Sequence, residues 1–301
     1  MYTLILYYNT NSYYFPYIQE STIKCFKVYR KINKIISFLH RVPIISCMVY
    51  GKWTKILNNC DRIIIFDNAF DVNLARYLKK HFKGKIYVYF WNTALSIDKK
   101  NNLIVAKKYF PVFSFDKEDC YKLDLNYAPM VYSRDIVSTF FEKNAIIKYD
   151  DIFVGWDKGR REELYSIYNI LKNMNMRCFF LIRDSKKEVI HEDFNITDQN
   201  LKYEEYLKLL NSCSVIIDIQ QKGQEGLTIR TLEAMFFRKK IITNKQDIDT
   251  YDFFCQENIF ILGKSDNSTL QGFISSPYKS IPKEVESKYD LKYWINKYFN
   301  I

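Results

Sequence analysis

The segment 214–244 constrains the fold most, because two strand-like runs in it flank a polar loop and a helical pattern. Val215–Ile219 and Lys240–Thr243 are short and apolar, as buried strands are, and 227–237 has the length and composition of a helix. This order is typical of a βαβ unit with parallel strands. The loop after the first strand of such a unit lies at the carboxyl edge of the sheet, where open α/β folds bind ligands. The sequence therefore predicts a binding site around 220–228.

The same alternation extends over all 301 residues, a length that suits two domains. Predicted strands are Thr3–Tyr8, Ile44–Val49, Arg62–Asp67, Lys85–Trp91, Val112–Asp116, Asp151–Trp156, Met176–Arg183, Val215–Ile219, Lys240–Thr243 and Ile259–Leu262. Predicted helices are Tyr17–Leu39, Val72–Phe82, Lys117–Leu123, Arg161–Lys172, Tyr203–Asn211, Leu227–Phe237 and Asp290–Phe299. The domain boundary is best placed within 141–150, between a helical segment and the next strand. The prediction is an α/β fold of two domains, 1–146 and 147–301, which face each other across a cleft.

Composition excludes several other classes of protein. Apolar residues make up 48% of the chain, and their longest unbroken runs are far shorter than the roughly 18 residues of a membrane-spanning helix. Met1–Tyr8 lacks a basic region and a cleavage site, so we expect a cytoplasmic protein. The seven cysteines form no C-x-x-C pair and the three histidines are dispersed. Neither a disulfide framework nor a metal is expected.

The net charge of +11 calls for an explanation. No recognisable nucleic-acid-binding motif is present, so no nucleic acid partner is expected. Lysines and arginines are set among apolar residues at helical spacing over Ile23–Leu39. Such a helix either rests on the anionic inner surface of a membrane or packs on its own sheet with a solvated basic face. The sequence favours neither of these two interpretations over the other.

A basic turn follows the predicted strand Asp151–Trp156. It contains Lys158, Gly159 and Arg160 and leads into a helix. Backbone N–H groups at a helix start and nearby cations suit a diphosphate. Arg183, expected at the same sheet edge two strand-ends away, and Arg230, in the helix 227–237, would complete an anion-binding clamp. The alternative is a basic turn that is simply solvated.

Acidic side chains supply further candidates. Glu225 stands at the start of the helix 227–237 and Glu233 nearly two turns further on, so that each would contact a different part of a ligand. The alternative is a helix-terminal acid and a solvated helix residue. Asp67 and Asp116 follow strands and are candidates for a catalytic base, or else turn formers and helix caps. An Asp-x-Asp triplet at 247–249 is discounted as a metal site.

Taken together, these segments resemble bacterial GT-B glycosyltransferases that build lipopolysaccharide core, O-antigen or capsule. The resemblance covers nearly the whole chain and is carried by Ile63–Asp67, Tyr89–Asn92, Phe113–Asp119, Phe153–Arg160 and Gln224–Ala234. It departs from that family at 9–12, where Asn-Thr-Asn-Ser stands in place of a glycine-rich loop.

The resemblance implies two Rossmann-like domains, with acceptor binding in 1–146 and nucleotide-sugar binding in 147–301. It also implies that Lys158 and Arg160 hold the donor phosphates and that Glu233 holds the ribose. Glu225, with Gly226 and Leu227, would contact the sugar or the diphosphate.

The activity implied is the metal-independent transfer of a hexosyl or deoxyhexosyl group from a nucleotide-sugar to a saccharide or lipid-linked saccharide. The enzyme would work in the cytoplasm, peripheral to the inner face of the membrane. Two alternatives remain open. One is a sugar-nucleotide epimerase on the same fold, and the other is a non-catalytic basic scaffold or nucleic-acid-binding protein.

Overall fold

The structure is a computed structural model and describes residues 1–8, 13–30, 49–94, 100–184 and 194–300. The chain divides into two compact units. Unit 1 contains Met1–Ile136, Glu225–Leu227 and Lys292–Ile301, and unit 2 contains Val137–Gln224 and Thr228–Leu291. The assignment of acceptor binding to 1–146 and donor binding to 147–301 stays a prediction.

Six strands form the sheet of unit 1, namely β1 (Tyr2–Tyr7), β2 (Ile23–Lys27), β3 (Cys60–Phe66), β4 (Lys85–Phe90), β5 (Val112–Ser114) and β6 (Asn126–Tyr127). Their order is β2-β1-β3-β4-β5-β6, and every described pairing is parallel. The run Ile63–Phe66 of β3 is buried throughout, as expected for an inner strand with both faces covered. The helices of this part of the chain are α1 (Val72–His81), α2 (Lys100–Tyr109), α3 (Lys117–Leu123) and α4 (Arg134–Phe140).

Six further strands form the sheet of unit 2, namely β7 (Tyr149–Trp156), β8 (Cys178–Arg183), β9 (Asn195–Thr197), β10 (Cys213–Asp218), β11 (Lys240–Thr243) and β12 (Ile259–Ile261). Their order is β12-β11-β10-β7-β8-β9, and the described pairings are parallel. The helices are α5 (Arg161–Asn173), α6 (Tyr203–Asn211), α7 (Ile229–Phe236), α8 (Leu270–Ser275) and α9 (Lys283–Ser287). Beside β7 lie the next strands in the chain, β8 and β9, and β11 and β12 lie on the other side, beside β10. The pair β7–β10 is therefore the topological switch point of the sheet.

The last helix, α10 (Leu291–Tyr298), completes the core of unit 1. Trp294 is fully buried, and its indole N–H donates to the carbonyl oxygen of Pro129 at 2.8 Å. Its ring meets Tyr89 of β4 at a centroid distance of 4.8 Å. Phe299, also fully buried, packs on Phe113 of β5 at 4.6 Å. Residues near position 295 thus fill the space beside strands made about 200 residues earlier.

The predicted α/β class with parallel sheets is confirmed. The bounds of α3, α6 and β11 agree with the prediction at both ends, while α2, α4, α8, α9, β6 and β9 were not predicted. The helix predicted over Tyr17–Leu39 is wrong at Ile23–Lys27, which forms the edge strand β2. The physical reason is that a segment of five residues is too short for its apolar pattern to distinguish a strand from a helix, and pairing with β1 decides between them.

The part of that predicted helix from residue 31 onward lies outside the described residues. The predicted strand Ile44–Val49 also lies outside them up to residue 48. Within the described parts of the chain, no helix combines the length and the apolar character that crossing a bilayer requires.

Candidate functional site

A buried carboxylate lies at the switch point of the unit 2 sheet. Asp218 ends β10 and is fully buried. Its Oδ2 accepts from the hydroxyl groups of Thr228 at 2.6 Å and Thr231 at 3.2 Å. Its Oδ1 lies 3.5 Å from Nη1 of Arg230. Asp218 therefore joins the end of the strand to the first turn of α7.

The start of α7 is suited to an anion. Thr228 caps the helix by accepting from the backbone N–H of Thr231, and the first turn contains no acidic residue. Arg230 lies in that turn with 15% of its side chain exposed, and its Nη2 and Nε donate to the carbonyl oxygen of Val154 at 3.0 and 3.3 Å. A Cβ at Gly155 would lie 2.2 Å from Nη2 of Arg230, so a larger residue there would displace the end of the Arg230 side chain. The helix dipole and Arg230 add positive potential at one point.

Arg160, predicted to bind phosphate, is buried at the same sheet edge. Its guanidinium donates to the carbonyl oxygens of Trp156 at 2.6 Å, of Asp157 at 3.1 Å and of Ile219. Burial, with a smaller effect from Arg230, lowers the pKa of Arg160 to about 10, so the group stays charged at neutral pH. These bonds favour a structural role, in which Arg160 ties the turn after β7 to the end of β10. Its contact with phosphate stays a prediction.

Lys158 and Gly159 form the turn after β7. Both are exposed, and their φ angles are +51° and +75°. No atom of the described residues lies within 4 Å of a Cβ built at Gly159, so the glycine is needed there for its backbone conformation and not for space. The first turn of α5 contains Glu162 and Glu163, which oppose an anion at that helix start. This turn is therefore a weaker anion site than the start of α7.

Arg183, the other predicted cation, is stacked on an exposed aromatic ring. Its guanidinium carbon lies 3.8 Å from the centroid of the Trp156 ring. Trp156 and Arg183 are register partners at the carboxyl ends of β7 and β8. Nε of Arg183 donates to the carbonyl oxygen of Asp198 at 3.2 Å, and Nη1 donates to Asn200. The pair is thus fixed in place from the β9 side.

Glu233, predicted to hold the ribose, is only 2% exposed. Its two carboxylate oxygens accept from the hydroxyl groups of Tyr203 at 2.8 Å and Tyr206 at 2.7 Å, both on α6. Burial raises the pKa of Glu233 to about 7, against the lowering effect of the two tyrosine hydroxyls and Arg230. Glu233 therefore joins α7 to α6. A contact with ribose stays a prediction.

The residues just before α7 belong to unit 1. Asp116 caps α3 through Oδ1, and its Oδ2 accepts from the backbone N–H groups of Glu225 at 2.9 Å and Gly226 at 3.0 Å. A Cβ at Gly226 would lie 2.5 Å from the ring of Phe115. Glu225 is exposed and Leu227 is buried. Because four N–H groups surround the Asp116 carboxylate, its arrangement favours a structural anchor over a base, and the alternative interpretation of Asp116 as a helix cap is confirmed.

Asp67 lies directly after β3, at the switch point between β1 and β3 in the sheet of unit 1. It is buried, and its carboxylate accepts from the backbone N–H of Asn68 at 2.8 Å and from Nδ2 of Asn92 at 3.3 Å. Asp67 and Asn92 thus lie together after the neighbouring strands β3 and β4. The Asp-x-Asp triplet is different, because Asp247 pairs with Lys245 and Asp249 with Lys264.

The sequence interpretation missed Asp218, Thr228, Trp156, Tyr203 and Tyr206. Asp218 carried a usable signal, since it is a polar residue that ends an apolar strand directly before a glycine-bearing loop. The tyrosines carried none, because they lie 27 and 30 residues before Glu233 in a different helix.

No protein-family model matches this chain, and no curated protein matches it by sequence. Solved structures do match. The UDP-forming α,α-trehalose-phosphate synthase of Burkholderia xenovorans is 10% identical with a TM-score of 0.51, covering 90% of this chain and 79% of that one. The N-terminal domain of Candida albicans trehalose-6-phosphate phosphatase is 10% identical with a TM-score of 0.50, covering 93% and 82%.

Anabaena HepE in complex with UDP is 10% identical with a TM-score of 0.47, covering 99% of this chain and 98% of that one. At such low identity, the likeness to the first two structures establishes the fold and nothing further. The chain has the GT-B-type fold, with two Rossmann-like sheets of parallel strands.

Proposed function

We propose that this protein is a glycosyltransferase that moves a sugar from a nucleotide-sugar donor to a hydroxyl group of an acceptor. The observation that carries the proposal is the cation cluster at the switch point of the unit 2 sheet. Arg160 and Arg230 both lie over the ring of Phe153, at 5.3 and 5.0 Å, and Asp218 is the carboxylate that contacts Arg230. Arg230, which remains partly exposed, and the N–H groups at the start of α7 form the proposed anion site.

A diphosphate suits this site better than a single carboxylate would. Departure of a nucleoside diphosphate from a sugar places new negative charge on the β-phosphate, and fixed cations and helix N–H groups lower the energy of that charge. Arg230 is held by Val154 and Asp218 before any ligand binds, so little reorganisation is needed. Lys158, exposed in the turn after β7, adds a further positive charge.

The donor is proposed to carry UDP or a related nucleotide, because one enzyme of similar fold is UDP-forming. Glu225, exposed directly before α7, is proposed to contact the donor sugar. Asp67 is the proposed base, because the four backbone N–H groups around the Asp116 carboxylate favour a structural role for Asp116. The transferred group is proposed to be a hexose or deoxyhexose. The acceptor is proposed to belong to the synthesis of cell-surface polysaccharide at the inner face of the membrane.

Calorimetry with UDP, GDP, dTDP and CMP tests the proposal. We expect at least one of them to bind, and Arg230→Met to weaken that binding by roughly 10- to 100-fold, since hydrogen bonds to charged groups contribute about 1.5 to 3 kcal/mol. Arg177→Met is the matched control, because Arg177 precedes β8 at the opposite edge of the same sheet and also pairs with an aspartate, Asp150.

Binding of none of the four nucleotides, or equal affinity in the Arg230 and Arg177 variants, would contradict the proposal. Thermal unfolding of both variants separates a lost contact from a lost fold. The two alternatives make other predictions. An epimerase converts a sugar nucleotide to its epimer without an acceptor, which NMR detects, and a basic scaffold binds polyanions in a strongly salt-dependent way.

A further inference from the structure

An exposed tryptophan at the carboxyl edge of the unit 2 sheet has no part in the core. Trp156 is 41% exposed, whereas Trp53 and Trp294 are fully buried. Single exposed apolar side chains are ordinary on protein surfaces. Trp156 differs because it lies at the end of β7, one of the two strands of the switch point, and because its ring is held in one orientation.

Arg183 holds that orientation. Its guanidinium stacks on one face of the indole at 3.8 Å and is itself bound to Asp198 and Asn200. The backbone of Trp156 is fixed as well, since its carbonyl oxygen accepts from Arg160. A rigid aromatic face that costs little entropy to order is what a planar ligand needs.

We propose that the Trp156–Arg183 stack is the platform on which the nucleobase of the donor rests. The inference rests on the proposed function and names the residues that recognise the donor's base. Any nucleobase can stack on an aromatic side chain, whatever its pattern of hydrogen-bond donors and acceptors, and a stacked arginine adds to the interaction. A sugar ring is less suited, because its C–H groups favour an electron-rich face and the cation under the indole draws on the same electrons.

The position of the platform fits the two ends of a nucleoside diphosphate. Arg160 bonds to the carbonyl oxygens of both Trp156 and Ile219, so the platform lies one strand away from the end of β10. Arg230 binds the carbonyl oxygen of Val154, two residues before Trp156 on the same strand. A base on Trp156 and a diphosphate at Arg230 and the start of α7 would therefore occupy neighbouring strand ends.

Trp156→Leu tests the platform, with Trp156→Phe as the variant that keeps a stacking ring. Affinities for UDP, GDP, dTDP and CMP are measured by calorimetry, together with that for inorganic pyrophosphate. We expect Trp156→Leu to bind the preferred nucleotide roughly 10- to 100-fold more weakly, and Trp156→Phe to recover most of the loss. Pyrophosphate, which lacks a base, should bind Trp156→Leu as it binds the wild type. The matched control is Tyr293→Leu, since Tyr293 is also 41% exposed.

Fluorescence gives a second measurement. The chain has four tryptophans, and stacking of a base on Trp156 should quench part of their emission. The quenching should disappear in Trp156→Phe while nucleotide binding persists.

The outcomes separate the two proposals. If a nucleotide binds the wild type and Trp156→Leu alike, the platform is overturned while the proposed function stands. If a methyl glycoside quenches the fluorescence of Trp156 and the nucleotide does not, a sugar is the ligand of the stack. The platform for a base is then again overturned. If no nucleotide binds the wild type, both proposals fail.

Discussion

Two strand-to-helix turns at the same sheet edge, 157–160 after β7 and 219–228 after β10, have opposite characters. The first carries the denser run of cations, yet Arg160 is buried against carbonyl oxygens and α5 begins with two glutamates. The second carries fewer cations, yet α7 begins without an acid and Arg230 remains partly exposed. Affinity for an anion depends on which charges remain accessible and not on how many the sequence contains.

The largest effect that separates the turns should come from Arg160. Arg160→Met removes the buried guanidinium that donates to the carbonyl oxygens of Trp156, Asp157 and Ile219, and only Asp157 keeps a described donor, the backbone N–H of residue 160. We expect a loss of about 4 kcal/mol in the free energy of unfolding. Urea unfolding measures it. Arg177→Met, which removes an exposed arginine of the same sheet, should cost less than about 1 kcal/mol. Equal losses would show that the carbonyl bonds of Arg160 contribute little.

The next effect concerns Glu233 in the helix that follows the second turn. Its pKa is raised to about 7, so the folded state holds a proton that the unfolded state has released, and stability falls as pH rises from about 4.5 to about 7. Wild type should lose about 3 kcal/mol more than Glu233→Gln over this window. Unfolding of both proteins at pH 4.5 and pH 8 checks the sign. A difference that does not change with pH would contradict a buried, protonated Glu233.

A smaller effect distinguishes the glycines of the two turns. Gly226→Ala forces a methyl group against the ring and carbonyl oxygen of Phe115, and we expect a cost of about 2 kcal/mol. Gly159→Ala meets no neighbouring atom but must keep a φ of +75°, which costs about 1 kcal/mol. Urea unfolding of both variants orders them. A larger loss of stability in Gly159→Ala than in Gly226→Ala would show that the positive φ costs more than the contact with Phe115.

The smallest effect should come from Lys158. Because the side chain is exposed, Lys158→Met should change the free energy of unfolding by less than about 0.5 kcal/mol. In calorimetry it should weaken binding of the preferred nucleotide by about twofold, far less than Arg230→Met. A loss as large as that of Arg230→Met would mean that the first turn, and not the second, is the main phosphate site.

The fold could be predicted because its signals are local and repeated. Apolar runs such as Ile63–Phe66 and Val215–Ile219 each identify a strand without any knowledge of the rest of the chain. The cap of α3 by Asp116 is equally local. Where two periods fit, as at Ile23–Lys27, local information fails, and only the partner strand β1 decides.

The site could be predicted in position but not in detail. Its place at the end of β10 follows from the βαβ pattern, and Arg230 was found in that way. The surroundings of each side chain depend on residues that are distant in the sequence. The bond of Arg160 to Ile219 spans 59 residues, and the bonds of Asp116 to Glu225 and Gly226 span 109 and 110. Whether a charge is accessible or already engaged is set by these contacts.

The packing of α10 on unit 1 also affects synthesis of the chain. Strands β1 to β6 leave the ribosome long before Trp294 and Phe299, the buried residues that complete their core. The sheet of unit 1 therefore cannot complete its core until the segment that carries these two rings has left the ribosome, although domains made earlier generally fold earlier.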